Sequence, residues 1–159
     1  MGIAGQAKNL DVAGHFRVRI DGFQDTDFAE CSGLKAVLDV MEYASGGEAT
    51  KHKQPTGKVT FPDLTLRRAA CTDYDIYLWF SSCVQLTAAQ AGADTVGLTF
   101  PNMVRNVEVC QLDTDGSVKK SWIARCFPNS FSAGEWKGDS KEAVIEELVL
   151  TVLGFDLAG

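Results

Sequence analysis

Cysteine and histidine are the residues of this sequence best suited to metal binding or nucleophilic catalysis. The cysteines are odd in number and widely spaced, no CxxC pair occurs, and neither histidine lies near a cysteine in sequence, so no metal site is indicated. Neither histidine belongs to a known nucleophile motif. We expect the cysteines to be small, mostly buried apolar residues in a reducing compartment. These residues are Cys31, Cys71, Cys83, Cys110 and Cys126, with His15 and His52.

The neighbouring carboxylates Glu146 and Glu147 are candidates for acid and base catalysis. They lie in an apolar segment that predicts a strand, and successive strand side chains point to opposite faces, so the pair cannot act together. The sequence also lacks the G-x-S-x-G, Walker and H-E-x-x-H motifs. We therefore predict no catalytic, metal-binding or cofactor-binding residue, and a protein that is not an enzyme.

The acidic segment Asp113-Thr114-Asp115-Gly116 could begin a calcium-binding loop. Its glycine falls at the fourth position, however, and no glutamate follows at the twelfth. The segment lies between two extended runs, and Asp-Gly in that setting is a strong β-hairpin signal. We predict a hairpin turn.

The chain is acidic overall, with a formal net charge of −6. Lysine and arginine cluster only in short pairs such as Arg67-Arg68 and Lys119-Lys120, so specific nucleic-acid binding is not expected. No apolar run approaches the roughly 20 residues that span a bilayer, and the N-terminus lacks a signal-peptide pattern. We expect no membrane anchor, and assembly in the cytoplasm.

The length of 159 residues and the uniform composition predict one domain. Residues 1–14 are predicted to be a flexible N-terminal arm, and residues 15–159 the single domain. Segments with alternating or β-branched apolar residues predict strands, and two further strands are predicted on either side of the Asp113–Gly116 turn. The predicted segments are 16–20, 28–34, 35–43, 58–66 and 142–155, with 95–101 as a short strand or extended loop.

Two other segments have distinct patterns. Residues 44–57 hold three glycines and one proline but no large apolar residue, which predicts a long polar loop. Thr72 and Asp75 fit a capping box at the start of a helix that fades near residue 92. Its apolar stripe consists of Ile76, Trp79, Phe80, Cys83 and Val84. Together these elements predict a mainly β, antiparallel sandwich or barrel with one packed α-helix.

Several segments, in this order, resemble contractile phage tail tube proteins, a family that includes the inner tube proteins of extracellular contractile injection systems. After the strand at residues 16–20 come F-x-x-x-S-G-L, V-x-E-Y-x-x-G-G, a K-x-P-G-like element, L-T-L-[KR]-R, a helix with a tryptophan, W-x-x-x-x-[AC]-F-P-x-S and a closing strand. The matching segments are residues 28–34, 40–47, 53–57, 64–68, Trp79, 122–130 and 142–150. The resemblance covers residues 15–155.

This resemblance implies a structural subunit that forms hexameric rings, in which the sheets join into a larger barrel. The rings stack into a rigid tube inside a contractile sheath, and cargo or DNA moves through the lumen. The implied partners are other copies of the chain, the sheath protein, the baseplate hub and spike, tape-measure or cap proteins, and a cargo effector or DNA. The particle is a virion tail or a released extracellular device.

The resemblance also suggests roles for individual residues. The polar loop becomes an arm that reaches the next subunit or ring, and polar or acidic residues at strand ends and in the hairpin become candidates for the lumen. Trp79, Phe80 and Trp122 are expected in the core. The inter-subunit candidates are Tyr43, Gly46, Gly47, Glu48, Lys51, Lys53, Pro55 and Gly57, and the lumen candidates are Asp39, Glu42, Glu108, Asp113 and Asp115.

Two alternatives belong to other classes of protein. One is a ring-forming tube protein of the type VI secretion apparatus, which shares the fold. The other is a monomeric β-barrel that binds a small apolar ligand, which would need a closed barrel with a lined cavity.

Overall fold

A computed structural model describes residues 11–23, 27–44, 46–47, 50–91 and 103–158. Within these ranges the chain forms strands and one helix, as the sequence predicts. The strands are β1 (Phe16–Ile20), β2 (Glu30–Ser32), β3 (Val37–Tyr43), β4 (His52–Thr60), β5 (Leu64–Ala69), β6 (Arg105–Leu112), β7 (Val118–Ser132) and β8 (Ile145–Ala158), and the helix is α1 (Asp75–Ala91).

Six strands form one curled antiparallel sheet in the order β1-β6-β7-β8-β5-β2. The long strands β7 and β8 lie at its centre, and register shifts between Arg125 and Cys126 and between Pro128 and Ser130 interrupt their pairing. Such irregularities bend a strand and increase its twist. β1 and β2 are the two edges, and they do not pair with each other in the described part of the chain. The sheet is therefore open, unlike the closed barrel that a ligand-binding protein would need.

The core lies between one face of this sheet and α1. Leu64, Leu66, Leu148 and Leu150 are fully buried on that face, because alternate residues of β5 and β8 point the same way. From the helix, the predicted stripe is buried at three positions, half-buried at Phe80 and exposed at Val84. The buried positions are Ile76, Trp79 and Cys83.

Of the three aromatic residues expected in the core, Trp79 belongs to it, whereas Phe80 and Trp122 are half-buried and contact phenylalanines at its margin. The Trp79 indole is 4% exposed and donates a hydrogen bond to the Met103 carbonyl at 3.0 Å. Trp122 is half-buried, with its ring 6.0 Å from that of Phe155. Phe80 stacks on Phe131 at 6.3 Å.

The β6–β7 turn is confirmed. The Gly116 amide donates to the Asp113 carbonyl at 2.9 Å, and the Asp113 amide donates to the Ser117 carbonyl at 2.8 Å. Gly116 has φ 86°, the left-handed conformation that glycine tolerates best.

The predicted helix start is wrong by two residues, because an N-cap at Thr72 would make Asp73 the first helical residue. α1 begins at Asp75, and Asp73 rather than Thr72 caps it, since the Asp75 amide donates to Asp73 Oδ1 at 3.1 Å. Arg68 also contacts this end of the helix, by donating to the Asp73 carbonyl at 2.7 Å.

Two predicted boundaries in the first half of the chain are also wrong. The segment 58–66 is not one strand, because the chain leaves β4 at Thr60 and starts β5 at Leu64, with Pro62 in the gap. The polar loop 44–57 is shorter than predicted, since residues 52–57 belong to β4. Pairing with β3 imposes this extended structure on a segment whose own residues show no strand pattern.

Some predicted segments lie outside the described residues. They are residues 1–10 of the N-terminal arm, residues 92–102 after the helix, and the loop residues Ser45 and Glu48. Of the remaining N-terminal residues, Asp11 contacts the β6–β7 hairpin through Lys119 Nζ at 2.9 Å and Lys120 Nζ at 2.6 Å. These two lysines lower the pKa of the Asp11 carboxyl.

Candidate functional site

The β3–β4 hairpin, residues 37–60, is the most unusual surface of the molecule. β3 and β4 form a separate two-stranded sheet and pair only with each other in the described structure. Every residue of β4 is exposed, as is every residue of β3 except the half-buried Asp39. An isolated two-stranded hairpin is marginally stable in water, and the described residues add no third strand to this one.

Both faces of the hairpin carry exposed apolar side chains. Val40 pairs with Pro55 on one face, and Leu38 pairs with Val59 on the far side of a register shift. Met41 and Tyr43 share the other face, where Gln54 Nε2 lies 3.6 Å from the Met41 sulfur and the Tyr43 and His52 rings are 5.5 Å apart. The exposed fractions are 52% for Leu38, 56% for Val40, 48% for Val59, 43% for Met41 and 44% for Tyr43.

The structure brings seven of the eight inter-subunit candidates together in this hairpin; the eighth, Glu48, lies outside the described residues. Tyr43, Lys53, Pro55 and Gly57 are in its strands, and Gly46, Gly47 and Lys51 are in its turn region. Lys53 Nζ lies 3.7 Å from Glu42 Oε1, a solvent-exposed ion pair. Sequence reasoning missed the apolar residues of β3 as part of the surface, although their position beside a glycine-rich turn was the available signal.

The lumen candidates are not brought together. Asp39 and Glu42 lie in the β3–β4 hairpin, Asp113 and Asp115 in the β6–β7 turn, and only Glu108 on the helix-free face of the large sheet. Glu108 Oε1 accepts a hydrogen bond from Cys110 Sγ at 3.1 Å. Burial and this carboxylate together raise the pKa of the Cys110 thiol to about 11.

The helix-free face of the sheet has mixed charge. The strand registers and the alternation of side chains place arginines and carboxylates there in equal numbers. The arginines are Arg17, Arg19, Arg67 and Arg125, and the carboxylates are Glu30, Glu108, Glu147 and Asp156. This face is therefore polar but is not dominated by acidic residues.

Other kinds of site find no support in the described residues. No group of three or more His, Cys, Asp or Glu side chains in the described ranges could hold a metal ion. No described helix is long and apolar enough to cross a membrane. Glu146 and Glu147 bond to different arginines on opposite sheet faces, Arg68 at 3.1 Å and Arg67 at 3.0 Å, as their positions in a strand predict.

The described structure is thus an open curled sheet with a helix on one face and a separate hairpin that exposes apolar side chains. The family model described as T4-like virus tail tube protein gp19 matches residues 12–156. The chain belongs to this family and is a structural subunit of a tail tube. A search of curated proteins gives no match.

Solved structures agree on the fold. The chain is similar to one in the anti-feeding prophage cap (AFP tube terminating cap), with TM-score 0.75, 20% identity and 99% of both chains covered. It is similar to one in the 6-fold symmetrised AFP baseplate, with TM-score 0.75, 18% identity, and 96% of this chain and 98% of that chain covered. A chain of the PVC sheath-tube complex, an extracellular contractile injection system, gives TM-score 0.72, 17% identity, and coverage of 94% and 92%. At these identities the likeness concerns the fold alone.

Proposed function

We propose that this tube subunit forms hexameric rings that stack into a hollow tube, with the β3–β4 hairpin as the contact between subunits. The observation that carries this proposal is the exposure of apolar side chains on both faces of an unsupported hairpin. Exposed apolar surface of this kind favours association because its burial removes it from water. The eight inter-subunit candidates, including Glu48, act in this contact.

The open edges of the large sheet support closure into a ring. β1 and β2 are edge strands, and unpaired edges favour pairing with another chain. Pairing β1 of one copy with β2 of the next is a heterologous contact, which gives a ring when its rotation closes. Six copies suit this closure, in keeping with the symmetry named for the similar AFP baseplate chain.

The helix-free face then lines the lumen, with Glu108 among its charges. Asp39, Glu42, Asp113 and Asp115 contribute to the lumen only if the hairpin and the β6–β7 turn reach it. A face with balanced charge holds neither DNA nor an acidic protein strongly, which suits passage of either cargo. We propose sheath, baseplate hub and spike, and tape-measure or cap proteins as partners in a virion tail or extracellular particle assembled in the cytoplasm.

Electron microscopy of the purified full chain, alone and co-expressed with its neighbouring tail proteins, tests the proposal. We expect rings or hollow tubes in at least one sample. The double variant Leu38→Glu/Val40→Glu should remain folded, because both side chains are exposed, yet should not assemble. Thr114→Glu, an exposed change in the β6–β7 turn, is the control and should assemble normally. Monomers of the wild-type chain in both samples would refute the proposal.

A further inference from the structure

A groove of about 510 Å³ lies at one end of the large sheet, where β7 ends and β8 begins. Its lining includes Arg67, Glu135, Trp136, Glu142 and Glu147. Trp136 is the most exposed large apolar side chain of the described structure, at 72%. Tryptophan dominates the binding energy of many protein interfaces because it removes a large rigid surface from water.

The segment that carries Trp136 is ordered by its own contacts. Gly134 has φ 114°, and a Cβ there would meet the Val144 side chain and lie 2.9 Å from the Ile145 carbonyl oxygen. The Ser140 amide donates to the Lys137 carbonyl at 3.1 Å. Glycine at position 134 thus lets the segment cross closely over the start of β8, and the crossing presents Trp136 outward.

Charges of the groove and of the β3–β4 hairpin are complementary. Arg67 pairs with Glu147 in the groove, whereas Glu135 and Glu142 make no ion pair with another described residue. The hairpin carries Lys51 and Lys58, which likewise make none within the described ranges. The described hairpin carries three lysines against Asp39 and Glu42, and the groove carries three glutamates against Arg67 and Lys137, so their formal charges of +1 and −1 are opposite in sign.

The two surfaces lie at opposite ends of the same strand. The groove is at the Ala69 end of β5, where Ala69 pairs with Ile145 and the Ala70 amide donates to the Val144 carbonyl at 2.7 Å. The hairpin joins the sheet at the Leu64 end, with three residues between Thr60, the last residue of β4, and Leu64. The strand separates these ends by about 17 Å, so repeating the molecule head to tail along it brings a hairpin to a groove.

We infer that the β3–β4 hairpin of one copy docks in the Trp136 groove of the next copy and sets the head-to-tail order of the tube. This inference rests on the proposed tube function and adds to it the receiving surface. Val40 and its apolar neighbours cover the indole, and the hairpin lysines meet Glu135 and Glu142. A groove that receives only an identical chain also ensures that each added copy has the same direction.

Sedimentation and electron microscopy of Trp136→Ala in the full chain give the first test. Loss of a hot-spot contact should raise the critical concentration for tubes about 30-fold, which corresponds to about 2 kcal/mol. The melting temperature should be unchanged because the side chain is exposed. A charge reversal, Lys51→Glu/Lys58→Glu, should weaken assembly, and adding Glu135→Lys/Glu142→Lys should restore it.

Disulfide cross-linking between two separately purified pools gives the second test. In a Cys71→Ser background, which removes the exposed native thiol, Lys53→Cys should cross-link to Glu135→Cys in assembled tubes and not to the control Thr114→Cys. Normal tubes from Trp136→Ala, or tubes that cross-link only to the control position, would overturn the inference while leaving the proposed function intact. Loss of sheath or cargo binding with normal tubes would assign the groove to that partner and also overturn it. Absence of tubes and rings from the wild-type chain would instead refute the function.

Discussion

At the scale of single residues, Arg68 is the polar side chain on which the described fold most depends. It is 2% exposed, donates to Glu146 Oε2 at 3.1 Å and to the Asp73 carbonyl at 2.7 Å, and lies 5.8 Å from the centre of the Phe28 ring. These contacts join β5, β8 and the start of α1. A planar guanidinium suits this role because it donates in several fixed directions at once.

Replacement of Arg68 should therefore be costly. Arg68→Met leaves the largely buried Glu146 carboxylate without its cation, and we expect a loss of about 3–5 kcal/mol in the free energy of unfolding. Urea denaturation of the monomeric Leu38→Glu/Val40→Glu variant, with and without the change, measures it. Arg67→Met is the matched control, since Arg67 is only half-buried, lies on the other sheet face and should matter far less. Equal losses at the two positions would contradict this account.

Differences in burial should also make the cysteines differ sharply in reactivity. Burial raises the pKa of the thiols of Cys31 and Cys110 to about 11 and of Cys126 to about 12. The thiolate is the reactive form, so these groups remain unreactive well above neutral pH. We expect a water-soluble thiol reagent to label Cys71, the exposed one, first, and to label Cys31, Cys110 and Cys126 more slowly than Cys71 at every pH between 7 and 9. Mass spectrometry of wild type and Cys71→Ser checks this; fast labelling of Cys126 in the native protein would disagree.

At the scale of elements, the sequence predicted those whose own residues carry a pattern. The alternation in Phe16–Ile20 and the Asp-Gly turn before β7 were sufficient for β1 and the β6–β7 hairpin. β4 was not predictable, because HKQPTG becomes a strand only through pairing with β3. The face of each arginine in the Arg67-Arg68 pair follows from alternation with Leu64 and Leu66, but only once the strand boundaries are known.

Gly33, within the S-G-L segment, shows how one backbone position fixes the end of an element. It has φ 100°, and a Cβ there would collide with the Asp63 carbonyl just before β5. Gly33→Ala should therefore separate β2 from β5 and cost clearly more than the roughly 1–2 kcal/mol of left-handed strain. Gly57→Ala is the control with φ 83° and open space around it, so it carries the strain alone. Urea midpoints of both variants measure the difference, and identical shifts would rule out the collision.

At the scale of the whole molecule, the resemblance predicted the class of protein, but the sequence alone could not show which surfaces are uncovered. Asp39, Glu42 and Glu108 are all acidic, yet two lie in the hairpin and one on the sheet. Their distribution depends on how the chain folds over long distances. For the same reason, the apolar residues of β3 have the pattern of ordinary core residues, and their exposure follows from a structure in which, among the described residues, β3 pairs only with β4.

Because both faces of the hairpin carry apolar side chains, we can predict how many neighbouring copies each hairpin contacts in the assembled tube. If both faces are buried, each hairpin lies between two neighbouring copies, and a charge on either face should prevent assembly. We expect Val40→Glu and Met41→Glu each to abolish tubes in electron micrographs, because each buries an unpaired carboxylate in an apolar contact. Since both side chains are exposed in the single chain, the melting temperature of each variant should stay close to that of the unassembled wild type. If only one variant forms tubes, the face that carries its substitution remains in solvent, and each hairpin contacts a single neighbour.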